Sequence, residues 1–154
     1  MSKETIITRQ SNIKNELYQL SVLEEKETRK LIQISMIDFD TEGNVIKENV
    51  FEYLDFTVGA LKLTECIFRP IELKLRKAIE ELETDIELVI DNKGLNVIVN
   101  SEGAEGVETV LYKLNSKEFD KAICSNMLNT IEVYKLEYTK TVIDLLSRSL
   151  QNVL

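Results

Sequence analysis

Apolar residues recur every three or four positions through the last quarter of the chain, at Phe119, Ile123, Met127, Ile131, Tyr134, Tyr138, Val142 and Leu145. That spacing lays them on one stripe of a helix, or of two helices in series. The start is marked by Asn115 as a cap, Glu118 three residues later to close a capping box, and Leu114 with Phe119 as a staple. A break near Asn129 and a strand over residues 131–138 are the alternatives for this stretch. A second stripe, Ile71, Leu75, Ile79 and Leu82, follows Pro70, which suits the first turn of a helix. Arg69 before it is biased away from helical geometry, so a boundary is expected there. Residues 57–68 stay undecided, because Gly59 weakens a helix.

Elsewhere the period shortens to two. Residues 30–39 are rich in isoleucine, with Ile32, Ile34 and Met36 on one face and Leu31, Ile37 and Phe39 on the other, which predicts a strand covered on both sides. The turn residues 40–44 and a more polar run over 45–53 complete a hairpin. Residues 85–90 and 95–100 form a second hairpin about Asp91-Asn92-Lys93-Gly94, and residues 107–114 are a third strand or a short helix. Near the start, Ser11 caps a helix carrying Ile13, Leu17, Leu20 and Leu23, with a strand as the alternative, and residues 1–10 are expected to be frayed. Residues 24–29 form a charged turn. The sum is an α+β fold in one compact domain over residues 1–154. An antiparallel sheet of about five strands is packed by a mid-chain helix and by the C-terminal helix or helices.

Composition narrows the chemistry. With 154 residues and a hydrophobic fraction of 44% the chain can bury a stable core, which argues against disorder. No apolar run is long enough for a membrane helix, and the N-terminus carries no signal-like apolar region, so a cytoplasmic setting is expected. There is no histidine, which removes Ser-His-Asp and Cys-His catalysis and histidine-containing zinc sites. Two cysteines, Cys66 and Cys124, cannot form a four-thiolate zinc site; small core residues are their ordinary role, with a reactive thiol as the alternative. There are 27 Asp and Glu against 19 Lys and Arg, a net charge of −8, so phosphate backbones and anionic membranes are repelled. The lysine- and isoleucine-rich composition fits a bacterial or phage origin.

Four patterns are candidates for function. Asp38, Asp40 and Glu42, followed by Gly43, have the oxygen spacing of a calcium loop. The twelfth position is Asn49 rather than glutamate, and a plain hairpin turn uses the same residues, so they are weak metal candidates only. Glu80, Glu81, Glu83 and Asp85, with Glu87 and Asp91 beyond them, form an acidic series running from a helix end into a strand. Acid at a helix C-terminus opposes the dipole, which points to a basic partner; the ordinary reading is a solvated face. Tyr134 and Tyr138 lie four apart and can anchor a partner, although a core edge is their commoner role. The glycines of Glu102-Gly103-Ala104-Glu105-Gly106 have the wrong spacing for a phosphate loop and are assigned to turns.

No motif identifies a family. In its gross properties the chain is similar to immunity or inhibitor proteins and to secretion chaperones. The function expected is therefore a protein-binding module, not an enzyme and without a cofactor, that occupies a partner's surface. Glu80, Glu81, Glu83 and Asp85 would steer, and Tyr134 and Tyr138 would anchor. A homodimer through the C-terminal helices is a further expectation. A small-molecule sensor domain and a metal enzyme using carboxylates alone are the alternatives.

Overall fold

A computed structural model describes residues 2–11, 15–26, 29–81, 85–91, 94–99, 107–114 and 121–151. The fold is α+β, with two antiparallel sheets and two helices among these residues. In chain order the elements are β1 (Ser2–Gln10), β2 (Glu16–Lys26), β3 (Arg29–Phe39), β4 (Val45–Tyr53), α1 (Phe56–Glu80), β5 (Ile86–Asp91), β6 (Gly94–Val99), β7 (Val107–Leu114) and α2 (Lys121–Gln151). The chain divides into two compact units. One comprises Met1–Ile67 with Glu137–Leu154, and the other Phe68–Leu136, so each long helix contributes to both.

The first unit holds a four-stranded sheet in the order β1-β2-β3-β4. Pairing sets Tyr18 against Met36, Leu20 against Ile34 and Val22 against Ile32, and Ile34 and Ile32 in turn against Phe51 and Tyr53 of β4. Strict alternation puts these side chains on one face. Tyr18, Leu20, Val22, Ile32 and Ile34 there are buried. The α1 residues Ala60, Leu63 and Ile67 and the α2 residues Val142 and Leu146 complete the unit's apolar core. Thr139 Oγ1 donates to Thr64 Oγ1 at 2.9 Å, and Thr64 Oγ1 donates to the Ala60 carbonyl at 2.9 Å, so two buried hydroxyls are satisfied between the helices.

The Ser11-capped helix is replaced by β2. Tyr18, Leu20 and Val22 face the core while Leu17, Ser21 and Leu23 face the other way, and pairing on both sides overrides the helical reading of the leucines. The frayed start is likewise replaced by β1, which pairs with β2 through a bulge between Thr5 and Ile7. These two strands bring the number among the described residues to seven in place of about five, and they stand in two sheets where one was expected.

Helix α1 begins well before Pro70. Asp55 is its cap: Oδ1 accepts from the amides of Thr57 at 2.8 Å and Val58 at 3.1 Å. Pro70 therefore lies in the helix interior, where it forfeits the bond to the carbonyl of residue 66. Buried Leu63, Ile67, Phe68, Ile71 and Leu75 on either side offset that loss.

The second unit holds a three-stranded sheet in the order β6-β5-β7. The hairpin β5–β6 closes through Gly94, which has φ of 112°. Strand β7 crosses to the other edge of β5, so the three strands do not follow one another in space. Ile86, Leu88, Val89, Leu95, Val97, Ile98 and Leu114 are buried, along with Phe68, Ile71, Leu75 and Ala78 of α1 and Cys124, Met127 and Ile131 of α2. Helix α2 runs unbroken through Asn129 and through 131–138, as the longer expected stripe requires. Its cap at Asn115 and Glu118, with Phe119, lies outside the described residues.

Candidate interaction site

The calcium-loop candidate is a turn. Asp40 Oδ1 accepts from the amides of Glu42 at 2.9 Å and Asn44 at 2.8 Å, and Asp40 Oδ2 from the Asn44 side-chain amide at 3.3 Å. Gly43 takes φ of 87° to close it. The carboxylate that would ligate a cation is thus spent on the turn, and among the described residues no group of three or more acidic or cysteine side chains is arranged to hold a metal. The Asn44 amide, followed by the other turn donors, holds the Asp40 carboxyl below its ordinary pKa. A depressed carboxyl contributes stability that is full above its unfolded pKa and is lost as pH falls through the folded one. Asp40→Asn is accordingly expected to melt below the wild type at neutral pH. The gap should narrow from about pH 5 to about pH 3, as read in paired thermal melts. A constant gap would assign the effect to geometry rather than charge.

The acidic series ends α1. Glu80 and Glu81 are exposed, Asp85 is half-buried with φ of 58°, and Glu83 lies outside the described residues. The two tyrosines part company. Tyr134 is half-exposed in the second unit. Tyr138 lies in the first, under the Arg9 guanidinium at 5.2 Å from the ring centre. Burial raises the Tyr138 phenol above its usual pKa, and Arg9 opposes the rise. Cys66 is half-buried, and burial pushes its thiol up despite Lys62, which keeps it protonated and weakly nucleophilic at neutral pH.

The outward apolar side chains are the feature that sequence reasoning missed. In the second unit Leu73 of α1 and Val133 and Leu136 of α2 are exposed, Leu136 to 62%. Val133 and Leu136 stand three apart on α2 and are neighbours on its surface. Here the two helices are tied by Lys135, whose Nζ lies 3.7 Å from Glu72 and 3.4 Å from Glu132. Glu72 also takes Arg76 at 3.0 Å. Leu73 is next to Glu72 in the chain, and Val133 and Leu136 flank Lys135 along α2, so each helix presents exposed aliphatic side chains close to charges that already have partners.

In the first unit β4 forms one edge of the sheet and β1 the other. The β1 edge is blunted by its bulge and by Lys3 and Arg9. The β4 edge instead exposes Val45, Ile46 and Val50, Ile46 to 67%. Lys62 Nζ lies 4.9 Å over the Phe51 ring, which brings that flank of α1 beside β4. Leu54, Val58 and Leu61 on or next to that flank are exposed as well. Each of these residues was visible as apolar in the sequence, but only the strand order shows that nothing lies beyond β4 among the described residues.

No family model, no curated protein and no solved structure matches the chain. Function is therefore argued from these surfaces alone. No helix among the described residues is long and apolar enough to cross a membrane.

Proposed function

We propose that the protein is a binding module that acts by occupying the surface of a partner protein, as an inhibitor, an immunity protein or a chaperone does. The observation that carries this is the outward set Leu73, Val133 and Leu136 on the helices of the second unit. Large aliphatic side chains held in water on rigid helices gain by being covered, and each contributes roughly 1.5–3 kcal/mol when fully buried. Tyr134 on the same stretch of α2 adds an amphipathic ring suited to an interface. The net charge of −8 favours a basic partner, with Glu80 and Glu81, exposed at the end of α1, as steering charges.

The test is recovery of a stoichiometric partner from the native host by a tagged full-length chain, at low and at moderate salt. The Leu73→Glu/Leu136→Glu variant is expected to keep its melting temperature and lose the partner. Glu80→Lys/Glu81→Lys is expected to slow association and flatten its salt dependence, with a smaller effect on dissociation. A partner retained at full stoichiometry by the double-glutamate variant would reject this surface. A folded wild type that takes no partner would reject the function.

A further inference from the structure

The β4 edge of the first unit is a separate surface, and its chemistry specifies its occupant. An edge strand offers a row of outward backbone donors and acceptors, which another extended strand can satisfy together. The same edge is accompanied by an apolar helical flank, Val58 and Leu61 of α1, with Leu54 at the helix entrance. A lone added strand would satisfy the backbone and leave the helical flank in water. The chain itself carries both parts in the right relation, a strand edge and an apolar flank beside it. We propose that β4 pairs antiparallel with β4 of a second copy of this chain, joining two four-stranded sheets into one of eight, with the dyad at Asn49.

A two-fold axis normal to the sheet keeps each face with its own kind, so paired positions in β4 sum to an even number. Strand length and charge together choose the register, because only centring on Asn49 pairs β4 over its whole length. Centring on Glu48 would set two glutamates directly opposite each other, and centring on Val50 would set Glu48 against Glu52. Like charges in direct opposition are destabilising. Centring on Asn49 sets Asn49 against Asn49, Glu48 against Val50 and Lys47 against Phe51, with no like pair in direct opposition. Exposed Val50 then gains a neighbour on one face of the joined sheet. On the other face Val45, which then stands opposite Tyr53 of the second copy, comes toward the exposed Leu54 and Val58 at the entrance of that copy's α1. The contact is isologous and closes after two copies, which removes the open edge. It uses neither the C-terminal helices nor the surface of the proposed partner, so it stands or falls independently of that function.

The experiment is site-directed cross-linking of the full chain under mild oxidation, with light scattering of the reduced wild type at micromolar concentration. Directly opposed residues in an antiparallel pair have Cα atoms about 4.5–5.5 Å apart, within disulfide range. Asn49→Cys is therefore expected to form a covalent dimer rapidly. Lys47→Cys places its two thiols four residues out of register, roughly 13 Å apart along the strand, and is expected to form none beyond the wild-type background from Cys66 and Cys124. The reduced wild type is expected at the mass of two chains. Asn49→Asp, which opposes two carboxylates at the dyad, should weaken dimerisation about fivefold, the equivalent of ~1 kcal/mol. A one-chain mass overturns the proposal. So does a dimer in which Asn49→Cys fails to cross-link, or in which Lys47→Cys cross-links equally fast, since either places the contact elsewhere.

Discussion

Replacing Gly59 with valine is expected to lower the unfolding free energy by about 3 kcal/mol, although valine is the better helix former. Gly59 is buried in the second turn of α1, where the helix lies against β3. A Cβ built there would stand 2.7 Å from Ile32 Cγ2 and 3.2 Å from Ile32 Cβ. Real carbon contacts do not close to the first of these distances, so helix and strand must separate or Ile32 must leave its rotamer. Neither is easy for a residue that is itself fully buried, with Val22 and Tyr53 opposite it on the neighbouring strands. Alanine poses the same clash with fewer atoms and returns up to ~1 kcal/mol of helix propensity, so Gly59→Ala should cost less than valine. The decisive comparison pairs Gly59→Ala with Ile32→Ala. Trimming Ile32 removes the atoms in the way, and the two changes together should cost at least about 1 kcal/mol less than their separate urea-denaturation losses summed. Strict additivity would show that the two residues do not meet as described.

Gly59 also explains why α1 was hard to read. In the sequence a glycine among Thr57, Val58 and Thr64 argues against a helix, and Pro70 argues for a start rather than a middle. Both signals were real and both were overruled by packing. The glycine is the close-approach point of helix on sheet, and the proline sits where buried neighbours on either side offset its missing bond. Pattern alone located the Ile71 and Leu75 stripe, the β3–β4 and β5–β6 hairpins and the course of α2, and left β7 between a strand and a short helix. It did so because those elements are locally consistent, with period, turn residues and burial agreeing. It failed on β1 and β2, where Leu17, Leu20 and Leu23 fit a helix as well as a strand and only non-local pairing decides.

The candidate surfaces were legible in a different measure. Acidity, the missing histidine and the tyrosines could be counted from composition, yet their use depends on placement. Tyr138, a candidate anchor whose commoner role is a core edge, lies beneath Arg9. Asp40, a weak metal candidate that a plain hairpin turn explains as well, closes its own turn. Conversely Val45, Ile46 and Val50 looked like routine strand residues. Their meaning comes from strand order, since the same sequence in a central strand would be ordinary core. Edge or centre is a property of topology, which no local window of sequence contains.

Leu88→Ala in β5 is the second large expected loss, about 2–5 kcal/mol. Leu88 is fully buried in the central strand of the three-stranded sheet, paired with Val97 on β6 and Tyr112 on β7. Val97 is itself buried and offers no flexible side chain to collapse into the space, so the removed carbons leave a cavity beside their lost burial. For a chain of this length each kcal/mol moves the midpoint by roughly 2–4 °C, so thermal melts should fall by about 5–20 °C. Two controls separate packing from strand propensity. Leu88→Ile keeps the volume and favours the strand, and should cost under ~1.5 kcal/mol. Val110→Ala, on β7 but 49% exposed, removes a β-branched residue without a cavity and should shift the midpoint by no more than a few degrees. If Leu88→Ala and Val110→Ala melted alike, the small sheet would lack the tight interior that its buried residues imply, and its strands would be held by backbone pairing alone.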